Sequence, residues 1–467
     1  MGAHRCCSDW TRSHGGVARA GDGLPAIEPG MPAPAGTGLT RRSLMLRGAG
    51  LALSVYGAGK LLAPEAFEAA IAEAAGDHRV VVSMFMDGGA DNFSILAPAG
   101  HSRYPTLRPT LAVADDAARR FGPDPSLVWS PDAEGIRQLW DDPSCGVAVA
   151  PAIGYPGANQ SHFTSRHYWE VGALDPTGST GWLGRYLDRV GAPDVPIQGL
   201  SFSGLLSPAL ATAANPVAAT DSIGSYDFQT FGTWGTMQTR LRDTHRQLGA
   251  VATADPALAY ARKIQASSAQ LRSDLSSATT APATDPAAGY PAASSTLKSR
   301  LQSLAKLLHV NTSGNYLPIR AVTVDAAGGW DTHSGQAGDF ARNLSTTCLN
   351  LQAFWNDLRL RGLDDRVLIV MWTEFGRRPE ENGSQGTDHG AAGTAFVIGK
   401  NVQQGMIGEF PGLTDYGTVG AGLDQDGNLR ATADFRALYS SILEQWLQTD
   451  AAGIIPGAGA LPRPALL

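Results

Sequence analysis

The chain has 467 residues, with 36 Lys/Arg against 43 Asp/Glu, a net charge of −7 and no basic tract, which excludes nucleic-acid binding through a charged stripe. Charged residues make up only 17%, against 55 Gly and 29 Pro, so the composition fits one large α/β domain with long ordered loops, or two domains. Of the four cysteines, Cys6 and Cys7 fall in the N-terminal segment; a disulfide between Cys145 and Cys348 is left open by the sequence.

Residues 1–39 are rich in Gly, Ala and Pro without periodicity and read as a disordered leader. Residues 40–76 carry Arg41-Arg42 directly before a weakly apolar run, Gly48–Gly59, bounded by Arg47 and Lys60. Paired arginines in that setting resemble a twin-arginine export signal, and the run is shorter than the ~20 residues a membrane-spanning helix needs. Small residues at Ala70, Ala72, Ala74 and Ala75 offer cleavage positions. The expectation is a folded protein handed to the twin-arginine export machinery, periplasmic or extracellular, with no stable membrane span. The alternative is a surface amphipathic helix with chance arginines.

From residue 77 onward the pattern is that of a mostly parallel α/β sheet. Val80–Met86 opens with three valines and ends abruptly at Asp87-Gly88-Gly89, which reads as a buried strand delivering a carboxylate to the edge where open α/β sheets bind ligands. Residues 93–130 read as an irregular Pro-rich excursion, Ala133–Trp140 as a short helix and Gly146–Ile153 as a second strand. The turn Gly154–Asn159 then leads to Ser161, at the start of a helix that carries His162 and His167. A serine there is either an N-cap or a group placed near the positive helix end for nucleophilic or anion chemistry. Gly181–Val190 reads as helix and Pro196–Phe202 as strand. From Phe228 to His309 the pattern turns helical, with Asp255–Asp274 and Ser295–His309 as helices around an exposed tract, Ser276–Ser294. This is a helical insertion at about 228–310, acting as a lid or as peripheral support.

Arg320–Ala326 returns to strand and is followed by Gly328-Gly329-Trp330-Asp331-Thr332-His333, in which Asp331 and His333 can face one divalent ion. Gly335–Gly362 reads as a helix with an apolar stripe, and Arg366–Thr373 as a strand ending in Glu374-Phe375-Gly376-Arg377. Asp388-His389 precede the last strong strand, Thr394–Gly399, and Phe435–Leu447 closes the chain as a helix. Carboxylates and imidazoles thus recur at successive strand ends, a set suited to zinc, manganese or another divalent metal.

The strings DGGADN, GGWDTHSGQ, TEFGR and TDHG, behind paired arginines, resemble the secreted family catalogued as domain of unknown function 1501, over about residues 78–450. That family is similar to the alkaline phosphatase and sulfatase superfamily. The resemblance implies a three-layer α/β/α sandwich and metal-dependent hydrolysis of phosphate or sulfate esters. It further implies Asp87 as first metal ligand, Ser161 as nucleophile, and Asp331 with His333 on one ion. Two readings of the last motifs stay open. In one, Asp388-His389 is the superfamily's paired ligand set. In the other, Glu374 takes the place of the aspartate, Phe375 leaves a histidine missing, and His389 is the late ligand. The site then holds two ions, one or none.

Three functions compete. The first is an exported metal-dependent hydrolase acting on small or polymer-borne esters, with Arg377 contacting the anion. The second is a non-catalytic exported binding protein with a degraded site. The third is a metal-free serine hydrolase pairing Ser161 with His162.

Overall fold

The computed structural model describes residues 79–467 apart from 225, 227–233 and 313–314, together with a backbone strand at Leu53–Ser54; side chains of 53–54, 256, 311–312 and 315 are not described. Arg41-Arg42 and the small residues considered for cleavage lie outside the described residues.

The frame is a sheet whose strands, in chain order, are β1 (Val80–Phe85), β2 (Gly146–Gly154), β3 (Gly199–Phe202), β4 (Val217–Ala219), β5 (Ala321–Asp325) and β6 (Val367–Trp372). A hairpin follows, β7 (Arg377–Glu381) with β8 (Thr387–His389), then β9 (Gly393–Gly399) and two short strands, β10 (Gly405–Met406) and β11 (Ala433–Asp434). The hairpin stands apart from the main sheet, which has the order β4-β3-β5-β1-β6-β9-β2-β10, with Leu53–Ser54 outside β4 and β11 paired to β2. Pairs β4–β3, β3–β5, β5–β1 and β1–β6 are parallel, whereas β9 runs antiparallel to both β6 and β2. That reversal matters for the site. The residues just before β9 lie at the same edge as the carboxyl ends of β1, β5 and β6, so His389 and Asp331 meet there.

The central strands are buried on both faces because helices cover both. Strand periodicity divides β1 between two cores. Val80, Val82 and Met84 pack with α1 (Glu134–Asp141), α6 (Thr296–His309) and α7 (Gln336–Leu360). Val81 and Phe85 pack on the other face with α2 (His162–Val171), α3 (Trp182–Val190) and α8 (Phe435–Ser441). On that second face Trp169 stacks between Trp372 and Phe435, at ring separations of 5.3 and 4.5 Å. Helices on both faces of a mostly parallel sheet make the three-layer α/β/α sandwich that the family resemblance implies.

Several local expectations change. Residues 93–130 are not irregular: Leu96–Ala97, Arg120–Phe121 and Asp124–Trp129 form a small antiparallel sheet, and Trp129 packs against Phe121 and Phe396. Cys145 and Cys348 are buried and unbridged. The helical region contains α4 (Gly235–Gly249) and α5 (Pro256–Ser277) in addition to α6. The last of these is core rather than peripheral, since Leu297, Leu301, Leu304 and Leu308 join the sheet's first core. Between α5 and α6 the Ala/Thr/Ser/Pro tract is partly anchored, with Ala278 and Ala288 buried. Among the described residues, no helix is long and apolar enough to cross a membrane.

Candidate metal centre

The site is built around the turn that ends β1. Gly88 and Gly89 take φ of +122° and +72°. A Cβ on Gly88 would lie 2.4 Å from the Asp331 amide nitrogen, and one on Gly89 2.3 Å from the Phe375 ring, so both positions need glycine. The bare turn exposes its backbone to two side chains from the TEFGR string. Its amides are donors to Glu374, from Gly88 at 3.1 and 3.3 Å and from Gly89 at 3.0 Å. Its carbonyls accept from Arg377, through Nε to Gly89 at 2.6 Å and through Nη2 to Gly88. The remainder of DGGADN is structural: buried Asp91 caps a short helix, pairs with Arg108 and accepts from Gln336 at 2.6 Å.

Asp331 is the hub. Its Oδ1 lies 3.1 Å from His333 Nε2 and 3.3 Å from His389 Nε2, its Oδ2 3.4 Å from His162 Nε2, and the two nitrogens of His333 and His389 are 3.0 Å apart. Each imidazole has its other nitrogen held from behind. His162 Nδ1 is 2.7 Å from Glu374, His389 Nδ1 is 2.7 Å from the Gln160 carbonyl, and His333 Nδ1 is 3.4 Å from Asp388. With an ion bound, a proton on each Nδ1 would satisfy those acceptors and leave each Nε2 lone pair for the metal; without one, the Nε2 atoms donate to Asp331. Metal-binding histidines are oriented in this way by carboxylates and carbonyls. Ligand atoms of a tetrahedral ion at about 2.0–2.1 Å stand about 3.3–3.4 Å apart, close to the spacings around Asp331. His162, Asp331 and His389 offer ligand atoms all within 4.8 Å of one another, and His333 adds a fourth donor against Asp331 and His389. Three imidazoles and one carboxylate suit zinc better than the oxygen-rich sets of magnesium or calcium.

Burial alone would raise the Asp331 carboxyl pKa, but hydrogen bonds from His162, His333 and His389, with the charge of Arg377, outweigh it and hold the group ionised far below the usual carboxylate range. Arg377 is fully buried and spends its donors inside the protein: besides Gly88 and Gly89 they reach the carbonyls of Thr387 at 2.8 Å and Trp330 at 3.1 Å, and Asp331 Oδ1 at 2.8 Å.

The sequence-derived residues therefore sort as follows. Asp331, His333 and His389 come together as expected. His162, expected as a partner of Ser161, instead turns its two ring nitrogens to Glu374 and Asp331 and supplies the third imidazole. Glu374 is corrected from ligand to support: both oxygens are engaged by the Gly88 and Gly89 amides and by His162. Asp388 is likewise behind His333, where it also accepts from Asn382 at 3.1 Å. Arg377 is corrected from anion contact to clamp. Asp87 is not in the cluster; its charge acts on Arg166, beside Glu170 and Asp325, and burial pushes Glu170 up to about 7 despite the 2.7 Å bond from Arg166. Ser161 stands at the N-cap position of α2, yet its side chain makes no capping bond, and it directly follows Gln160, whose carbonyl holds His389. Phe375 packs between His162, which comes from α2, and His389, at 4.9 and 4.5 Å.

The family described as protein of unknown function (DUF1501) matches residues 134–453. The chain belongs to that family. No curated protein matches it significantly. Among solved structures, it is similar to a protein in the alkaline phosphatase superfamily from Vibrio parahaemolyticus, at 7% identity over 86% of this chain and 80% of the other, with a TM-score of 0.35. It is also similar to the C-terminal periplasmic domain of EcEptC from Escherichia coli in complex with Zn, at 8% identity over 84% and 93%, TM-score 0.33. A third is the phosphonate monoester hydrolase of Agrobacterium radiobacter, at 10% identity over 81% and 78%, TM-score 0.34. At that distance the chemistry of this DUF1501 member has to be argued from its own residues.

Proposed function

We propose that this DUF1501 protein is an exported hydrolase of phosphate or sulfate esters that works with one divalent ion, most suitably zinc. The observation that carries the proposal is the convergence of His162, His333 and His389 Nε2 on Asp331, with a separate acceptor behind each Nδ1. A bound ion would polarise an ester oxygen as a Lewis acid. The protein's part is to hold four donors in place, to keep Asp331 ionised, and to set Ser161 at the positive end of α2 as the proposed nucleophile. Arg377 argues for one ion rather than two. Its guanidinium lies 2.8 Å from Asp331 Oδ1 and 3.5 Å from His333 Nε2, so a second dication on that side would face a buried cation. Export rests on Arg41-Arg42 before the apolar run.

The spent donors of Arg377 favour a second reading, a binding protein whose catalytic anion clamp is gone. Metal content of protein purified without chelator, followed by a phosphate, phosphonate and sulfate ester panel, separates the two. The hydrolase reading expects one zinc per chain, turnover of at least one ester class, and loss of both in His389→Ala with the fold retained by circular dichroism. Metal without turnover supports the binding protein, and folded protein that takes up no metal overturns both.

A further inference from the structure

The hairpin of α4 and α5 is turned inside out. Six of the ten large apolar side chains exposed among the described residues fall between 234 and 258: Trp234 at 78%, Met237 at 54%, Leu241, Leu248, Val251 and Leu258. Met237, Leu241, Thr244 and Leu248 follow one another at steps of four, three and four, so they form a single stripe along α4. The half-buried side of the same helix carries Gln238, Arg242 and His245 instead, and α4 has no buried residue. A soluble helix packs the opposite way, and clustered exposed apolar groups of this kind mark an interaction surface.

Charge indicates the occupant. Residues 234–263 carry five Arg/Lys against two Asp, in a chain whose net charge is −7; Arg246 pairs with Asp243 and Lys263 with Asp194, each at 3.2 Å, so the local excess rests on Arg240, Arg242 and Arg262. Arg240 is exposed and borders the stripe, and Arg262 reaches over the hairpin tip to the carbonyls of Val251 and Ala252 at 2.6 and 2.9 Å. A helix with apolar and aromatic groups on one side and arginines beside them fits the interface of an anionic bilayer, with the apolar side immersed by ~5–10 Å. A second copy of the chain fits less well, because pairing stripe to stripe would bring the basic side chains of both copies into one interface.

We infer that the α4–α5 hairpin docks the protein on a membrane surface containing anionic lipid, through the stripe Trp234–Leu248 and the apolar tip Val251–Leu258. This surface is separate from the metal centre and does not depend on the proposed activity.

The test is sedimentation of the full chain with vesicles of phosphatidylglycerol and, separately, of phosphatidylcholine, alongside light scattering of the protein alone. Binding to phosphatidylglycerol should exceed binding to phosphatidylcholine at least tenfold and weaken as salt rises. Arg240→Gln should lower it roughly fivefold, and the triple variant Met237→Ser, Leu241→Ser, Leu248→Ser should abolish it. These side chains are exposed, so circular dichroism and melting temperature should not change. Equal binding to both lipids, no binding at all, or binding that survives the triple variant overturns the proposal. So does a dimer that the triple variant dissociates, which would give the stripe to a second copy.

Discussion

Glu374→Gln is the sharpest single test of the metal centre, because it alters the tautomer of a ligand without removing any ligand. The carboxylate is fully buried and faces donors only: the Gly88 and Gly89 amides at 3.0–3.3 Å, the Thr373 hydroxyl at 3.1 Å and His162 Nδ1 at 2.7 Å. Glutamine has the same shape but offers one oxygen and one NH2. If its oxygen serves the two glycine amides, its NH2 faces His162. The imidazole must then accept at Nδ1 and carry its proton on Nε2, the atom aimed at Asp331. If the amide is reversed, an NH2 confronts two backbone donors, at a cost of about 1–3 kcal/mol for a buried unsatisfied group. Loss of such a supporting group lowers metal affinity by roughly 10–100-fold, about 1.4–2.7 kcal/mol. Competition with a chromophoric chelator measures the zinc affinity, and nitrogen NMR of labelled histidine reports the tautomer of metal-free protein. A folded variant with unchanged affinity and His162 still protonated at Nδ1 would refute the assignment of Glu374 as the group that orients this ligand.

Three further outcomes follow from local geometry. Asn428 is buried and accepts from Gln160 Nε2 at 3.0 Å, while the Gln160 carbonyl holds His389; Asn428→Ala should weaken zinc binding by about tenfold or less, without lowering the melting temperature of metal-free protein by more than a few degrees. Gly88→Ala puts a Cβ 2.4 Å from the Asp331 amide at a φ of +122°, so urea unfolding should show a loss of at least ~2 kcal/mol; an unchanged midpoint would mean that the turn is not fixed as described. Glu134 is held down to about 2, first by its hydrogen bonds from Arg137, against an ordinary value of 4.5. Its folded pKa is depressed, so its contribution is complete above pH 4.5 and is lost as pH falls toward 2. Solvent limits that contribution to about 1 kcal/mol, and Glu134→Gln should cost that much at pH 7 and nothing at pH 2, read from urea midpoints across the range.

Much of the fold was legible because buried strands announce themselves. Val80–Met86, Arg366–Thr373 and Thr394–Gly399 are apolar runs of strand length, and the structure places them side by side at the centre of the sheet. The direction of β9 was not legible, since an apolar run reads alike both ways and only tertiary pairing decides. The small sheet at residues 93–130 was hidden for a different reason: two of its strands are two residues long and carry no periodicity. In α4 the local pattern was helical but pointed its apolar side outward, so an argument that equates apolar with buried misplaces it.

The site was legible where a carboxylate or imidazole ends a strand, and obscure where one such residue supports another. Asp331 and Glu374 both follow buried strands, and nothing in their immediate sequence says that one faces three imidazoles while the other faces two glycine amides. What separates them is the company brought by other segments. The DGG turn has bare amides to offer, and Glu374 is the carboxylate within their reach. His162 was visible as a residue but not as a neighbour of Asp331. Its signal was positional: it opens the helix after β2, whose carboxyl end shares an edge with β1, β5 and β6, and a side chain at that helix start points back across the same edge. The same placement explains why Phe375 does not leave the centre short of an imidazole. At the end of β6 stands Phe375, a ring that packs against His162 and His389, so the third imidazole beside Asp331 comes from α2 and not from that strand end.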